Sequence, residues 1–149
     1  MAPLLEVRDL RVSFDTEDGV VRAVDGIGWA VDAGRTRGVV GASGSGKTVA
    51  SLSVLGLTRA RNARVEGSIL LAGRELLSAP EDELRRIRGN DVAMIFQDPL
   101  SSLHPFFRIG DQLAEAVLAH RDVTRRAASA RALEMLELVG LPDARRRIA

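Results

Sequence analysis

With 149 residues, 46% of them apolar and 28% charged, the chain is long and apolar enough to bury a core, which excludes a disordered or fibrous chain. A formal net charge of +1 gives no strong field for nucleic acid or anionic lipid, and the absence of cysteine removes disulfides, thiolate metal sites and cysteine nucleophiles together. No run approaches the ~20 apolar residues of a membrane-spanning helix, and Glu6, Arg8 and Asp9 interrupt the N-terminus where a secretory signal needs its apolar centre. The chain is therefore expected in the cytosol, touching a membrane only through a partner.

In chain order, Leu5 to Phe14 alternates apolar and charged residues and predicts a half-exposed strand. Residues Asp15 to Gly19 form a turn cluster, and a second strand is predicted over Val20 to Val24. Asp25-Gly26 and Asp32-Ala33-Gly34 read as further turns around a short segment, Ile27 to Val31. The apolar run Gly38-Val39-Val40 reads as a short buried strand ending in a glycine-rich loop, and Thr48 to Leu57 as a helix starting at that loop. A strand follows over Val65 to Ala72, closed by Gly73. Ser78 is placed to cap a helix from Pro80 to Arg88 that Gly89 ends, with Glu81, Asp82 and Glu83 suiting the dipole of its first turn. Val92 to Phe96 is short enough to favour a strand. Beyond Pro99 the pattern turns helical, over Asp111 to His120 (Leu113, Ala116, Val117) and Thr124 to Val139 (Leu133, Leu136, Val139). His104 and His120 have no partner at metal-ligand spacing, and Arg145, Arg146 and Arg147 read as a solvated face.

The segment with the sharpest chemistry is Gly41-Ala42-Ser43-Gly44-Ser45-Gly46-Lys47-Thr48, which fits the phosphate-binding pattern G-x-x-x-x-G-K-[ST]. Its glycines, with Ser43 and Ser45 between them, let successive backbone N–H groups turn inward onto a phosphate, and the helix that follows adds its positive dipole end. Lys47 has the length to reach β- and γ-phosphates, and the Thr48 hydroxyl suits magnesium. Of 21 basic residues Lys47 is the single lysine, retained where this chemistry asks for one. The segment predicts a nucleoside triphosphate site, without separating kinases, GTPases, motors and transport ATPases.

Met94-Ile95-Phe96-Gln97-Asp98-Pro99, with Gln97 lying 50 residues after Lys47, resembles the Q-loop of ATP-binding cassette (ABC) ATPases. The stretch FQDPLSSLHPFFRIGDQLA from Phe96 to Ala114, and the N-terminal LLEVRDLRVSF followed by VRAVDGI, are similar to the oligopeptide, dipeptide and nickel importer branch of that family. The resemblance covers essentially the whole chain. It implies an α/β fold with the mixed sheet of a P-loop NTPase: an incomplete ABC ATPase core over residues 1–98, then the start of a helical subdomain over 99–149. It implies ATP and Mg2+ as ligands, with Gln97 sensing the γ-phosphate and the metal, so that Thr48 and Gln97 are the metal-site residues. Phe14 falls where the family places an aromatic that stacks on adenine; by spacing alone a core phenylalanine fits as well. The implied partners are transmembrane permease subunits, faced by the region of Phe106, Phe107 and Arg108, and a second ATP-binding subunit. The implied location is peripheral, on the cytoplasmic face of the membrane, with no nucleic acid partner.

Two positions depart from the family pattern. Arg37 stands where an apolar residue usually precedes the P-loop strand, so a costly buried guanidinium is expected there. Ala42 replaces a frequent glutamate at a free position of the loop, and phosphate binding is expected to survive it. The chain carries no LSGGQ-like signature, Walker B strand or switch histidine. It is expected to bind ATP without hydrolysing it, to have no catalytic residue of its own, and to be marginal in isolation, because parallel strands lacking neighbours leave sticky edges. The readings carried forward are an importer ATPase subunit, a truncated remnant that binds nucleotide without turnover, and an unrelated P-loop kinase, which Gln97 and its flanks disfavour.

Overall fold

A computed structural model describes residues 2–98 and 103–148; Pro99, at the predicted boundary and in the Q-loop-like segment, lies outside the described residues. The chain divides into two compact units, one up to Arg88 and the other from Gly89.

The first unit is built on a four-stranded antiparallel sheet, with strands β1 (Leu5–Thr16), β2 (Gly19–Val31), β3 (Ala63–Leu71) and β4 (Arg74–Glu75) in the order β2-β1-β3-β4. Alternation along β1 sends Val7, Leu10 and Val12 inward, at 2% exposure or less, while Arg8 and Arg11 face solvent. Ile69 of β3 and Leu76, Leu84 and Ile87 complete the buried aliphatic set. Burial of a side chain of this size is worth roughly 1.5–3 kcal/mol. Two helices accompany the sheet, α1 (Lys47–Val54) and α2 (Glu81–Ile87). The Arg59 guanidinium donates to the carbonyls of Leu76, Leu77 and Ala79, and Arg88 donates to the Leu55 carbonyl at 2.7 Å, tying the end of α1 to the segment carrying α2.

Both long strands bulge. The β1–β3 register slips between Arg8 and Arg11, where Asp9 takes a positive φ of 44°. Opposite the bulge, Gly67 (φ 105°) leaves room that a Cβ would fill at 2.6 Å from the Arg8 and Asp9 carbonyls, so a side chain there is excluded. Asp25-Gly26, read from sequence as a turn, is instead a bulge inside one continuous strand, β2, because the ladder to β1 resumes on both sides of it.

The second unit consists of α3 (Ile109–Leu118), α4 (Arg125–Leu138) and the short α5 (Ala144–Arg147). The predicted helices are present, and the Thr124 hydroxyl caps α4 by accepting from the Ala127 N–H at 3.3 Å. The residues in contact differ from those expected: Ala114, Ala128 and Ala132 are the buried ones, whereas Ala116 is exposed and Val139 is 77% exposed. Small side chains thus take the most buried positions, while Leu113, Val117, Leu133 and Leu136 are half-buried.

Other expectations fail for stated reasons. Gly38-Val39-Val40 is not a strand; no described residue pairs with it, and Val40 is 94% exposed. Val92 to Phe96 likewise forms no strand beyond a single bridge position at Val92, and Ile95 is 94% exposed. An apolar run becomes a strand only where a neighbour supplies the ladder, so the sheet observed is antiparallel. Arg37 is exposed, donating to the Ala30 carbonyl at 3.4 Å, and the burial cost expected for it does not arise. Ser78 does not cap α2, whose N-cap is Pro80 without a side-chain hydrogen bond; the acidic first turn is as expected.

Candidate functional site

The loop at 41–46 joins an unpaired segment to α1 and curls around the Lys47 ammonium. Lys47 Nζ donates to the carbonyls of Gly41 (2.7 Å) and Ala42 (2.8 Å) and to the Ser45 hydroxyl (3.2 Å), and the Ser45 N–H closes the turn on the Ala42 carbonyl at 3.2 Å. Ala42 thus serves through its backbone, which any residue supplies. The lysine's three donors are all engaged, so the loop holds its cation inside its own curl.

Gly46 decides the shape. It is the N-cap of α1 in the left-handed region (φ 87°), and a Cβ there would come within 2.2 Å of the Ala23 carbonyl on β2 and 3.3 Å of Val24 Cγ2. The bare backbone therefore lets β2 run directly against the loop. No side chain caps α1, so the N–H groups of its first turn are left for a ligand at the positive end of the helix.

Between the loop and β2 lies a cleft of about 530 Å³ lined by Gly41, Gly44, Ser45, Gly46 and Lys47 on one side and by Arg22, Asp25, Ile27 and Trp29 on the other, with Val39 and Val40 at its margin. Its volume is in the range of small-molecule sites. Asp25 is the one carboxylate among these lining residues, and it is already bonded to Arg11 at 2.6 Å.

Of the residues singled out from sequence, the structure gathers Gly41, Gly44, Ser45, Gly46 and Lys47 around this cleft. Ser43 is exposed in the turn and Thr48 is exposed in the first turn of α1; both adjoin the cleft without lining it. Phe14 is half-buried in the ladder between Val21 and Ala63 and does not line the cleft. Gln97 belongs to the second unit, exposed in a bend. Trp29 and Ile27 are contributors that sequence reading missed. Their signal was the alternation Ile27, Trp29, Val31, obscured by treating Asp25-Gly26 as the end of a strand.

In the second unit, the α3 residue Gln112 pins the loop before it. Its amide oxygen accepts from the His104 N–H (2.8 Å), and its amide nitrogen donates to the carbonyls of His104 and Phe107 (both 3.0 Å). The His104 ring lies 4.7 Å from that of Phe107, and Phe106 and Phe107 remain 89% and 63% exposed. Among the described residues no cluster of three or more His, Cys, Asp or Glu is arranged to hold a metal, and no helix is long and apolar enough to cross a membrane.

Residues 24–149 match the family model described as ABC transporter. Over 145 residues the chain is 44% identical to the oligopeptide transport ATP-binding protein OppD of Escherichia coli, covering 97% of this chain and 43% of that protein. It is 46% identical over 143 residues to the dipeptide transport ATP-binding protein DppD of Lactococcus lactis, covering 95% of this chain and 41% of the relative. The chain thus spans a little under half the length of these relatives. Among solved structures, the dimeric ATP-binding cassette MJ0796 bound to ADP and Pi superimposes with a TM-score of 0.79 at 18% identity, over 97% of this chain and 60% of the other. At that identity the likeness speaks for the fold.

Proposed function

This chain belongs to the ABC transporter family, and from that premise we propose that it is the N-terminal part of an importer's ATP-binding subunit, binding Mg-ATP to drive uptake of peptides or similar solutes. The observation that carries the reading is the cradle at 41–48: a glycine N-cap packed against β2, uncapped helix N–H groups, and one lysine at the centre of the loop. The printed names of the relatives, both peptide-transport ATP-binding proteins, support the solute class.

The residues present fit the ligand. Gly41, Ser43, Gly44, Ser45 and Gly46 supply backbone donors for phosphate oxygens, and Lys47 exchanges its loop carbonyls for them. The Thr48 hydroxyl, which makes no hydrogen bond among the described residues, is free for magnesium. Bound there, magnesium would neutralise charge on the phosphates. Phe14 is proposed as the adenine platform. Residues 1–98 are proposed as the N-terminal part of the ABC ATPase core and 99–149 as the start of its helical subdomain. Permease subunits and a second ATP-binding subunit are the proposed partners, at the cytoplasmic face of the membrane.

For this stretch by itself, binding without turnover is part of the proposal: holding the metal and orienting water takes carboxylates, and Asp25, the one carboxylate lining the cleft among the described residues, is bonded to Arg11. Measurable phosphate release, abolished by Lys47→Ala, would overturn that reading.

The single lysine makes binding directly testable. An amine-reactive reagent is applied with and without Mg-ATP, and modification of Lys47 is read by peptide mass spectrometry against the N-terminal amine as an internal control. Selective protection of Lys47 by Mg-ATP is the expected result. Equal modification in both conditions would remove the proposed nucleotide site from this chain.

A further inference from the structure

Val12 and Val24 are both buried, and Val24 Cγ2 lies next to Gly46. Ser13 follows Val12, so its side chain is on the opposite face. There the ladder sets Ser13 directly across from Arg22 of β2 on one side and Arg64 of β3 on the other. Cross-strand neighbours have Cβ atoms ~4.5–5.5 Å apart, so two guanidinium groups flank one hydroxyl within reach of a common small anion.

The three residues line a second cleft, of about 330 Å³, with Arg11, Asp25 and Glu66 in the adjoining row. That row is self-neutralising: Arg11 bonds Asp25 at 2.6 Å and Asp9 at 2.9 Å. The Arg22–Ser13–Arg64 row is not. Arg22 makes no ion pair or hydrogen bond among the described residues, the Ser13 hydroxyl makes none, and Arg64 reaches Asp15 only at 3.7 Å. Two guanidinium groups thus flank a hydroxyl, Arg22 without a partner among the described residues and Arg64 held by the long contact to Asp15 alone.

We propose that Arg22, Ser13 and Arg64 form an oxyanion site of phosphate class in this second cleft. Planar guanidinium forks match the tetrahedral edge of a phosphate, and the serine hydroxyl adds a third donor. The anion is either free phosphate or a phosphate carried by a small hydroxylated molecule, with the Glu66 carboxylate on the cleft wall to accept from such hydroxyls.

The test uses the whole chain carrying Lys47→Ala, which silences the P-loop, and follows binding of inorganic phosphate and of glucose 6-phosphate by 31P NMR titration. Of the two clefts, Arg64 and Ser13 line this one and not the other, whereas Arg22 lines both, so Arg64→Gln and Ser13→Ala are the informative changes. Saturable binding that persists in Lys47→Ala and weakens about tenfold in either further variant, with unchanged circular dichroism, is the expected result. Tighter binding of glucose 6-phosphate than of phosphate would assign the carried form, and the reverse the free ion. Absence of saturable binding by either anion, or binding indifferent to both Arg64→Gln and Ser13→Ala, would overturn the proposal. Because Lys47 is removed throughout, failure here leaves the nucleotide reading untouched, and failure of the Lys47 protection experiment leaves this one untouched.

Discussion

Gly46 shows how much one missing methyl group decides. Its φ of 87° is strained for any L side chain, and the Ala23 carbonyl stands 2.2 Å from where a Cβ would sit. Gly46→Ala must therefore push β2 and the loop apart, and the first turn of α1 with them. Expected is loss of Mg-ATP protection at Lys47 together with a destabilisation on the order of 1–3 kcal/mol, the range for a strained backbone position. Denaturant unfolding beside the labelling assay checks both; a variant that keeps full protection and stability would show that the close approach is dispensable. Gly34 makes a useful contrast: it also has positive φ, but a Cβ there meets nothing within 4 Å, so its demand is on conformation alone. Motif reading singled out Gly46 and Lys47 from spacing, and both line the cleft beside the loop. Trp29 escaped it because a lone tryptophan in an alternating strand is equally suited to a core.

At the scale of elements, the β3–β4 hairpin depends on one carboxylate. Glu75 accepts from the Ser68 hydroxyl, from the Ile69 N–H at 3.0 Å and from the Leu77 N–H at 2.9 Å. Partial burial pulls its pKa upward, but the hydrogen bonds from Ser68 and from the backbone N–H groups outweigh it, and the carboxyl is held below its ordinary value. A depressed folded-state pKa gives stability that is fully present above the unfolded-state value, near ~4.3, and lost as pH falls through the folded-state value. Wild type should therefore exceed Glu75→Gln in stability at pH 7, with the gap closing below about pH 4. Urea midpoints across that range provide the check, and a gap independent of pH would exclude the carboxylate's charge as its source. Gln112 plays the comparable part in the second unit, where one amide holds the backbone of His104 and Phe107 and so presents two exposed phenylalanines on a fixed loop.

At the scale of the whole molecule, the most exposed aliphatic residues among those described are Val40 and Ile95, each at 94%; Val40 lies in a run that reads as a strand but pairs with nothing described, and Ile95 in one that pairs only at a single bridge, Val92. Unpaired apolar backbone is a template for association. Val40→Lys should leave thermal stability within about 0.5 kcal/mol, because the side chain touches little, while raising the concentration at which the protein aggregates. Calorimetry and light scattering check the two halves separately; a large loss of stability would mean that Val40 is packed after all.

The sequence by itself determined the glycine-rich loop leading into α1, the helices after it and in the second unit, the first and third strands, and the family. These rest on local rules: glycine and lysine spacing, helical periodicity and alternation. Tertiary structure alone decided that Asp25-Gly26 is a bulge, because only a ladder to β1 on both sides distinguishes a bulge from a turn. It alone decided that alanines rather than leucines take the most buried positions of α3 and α4, since burial is a property of the pair. It also decided the fate of residues 38–40 and 92–96, for an apolar run states only a preference for burial. Whether that preference is met depends on a neighbour, and no stretch of sequence contains its own neighbour.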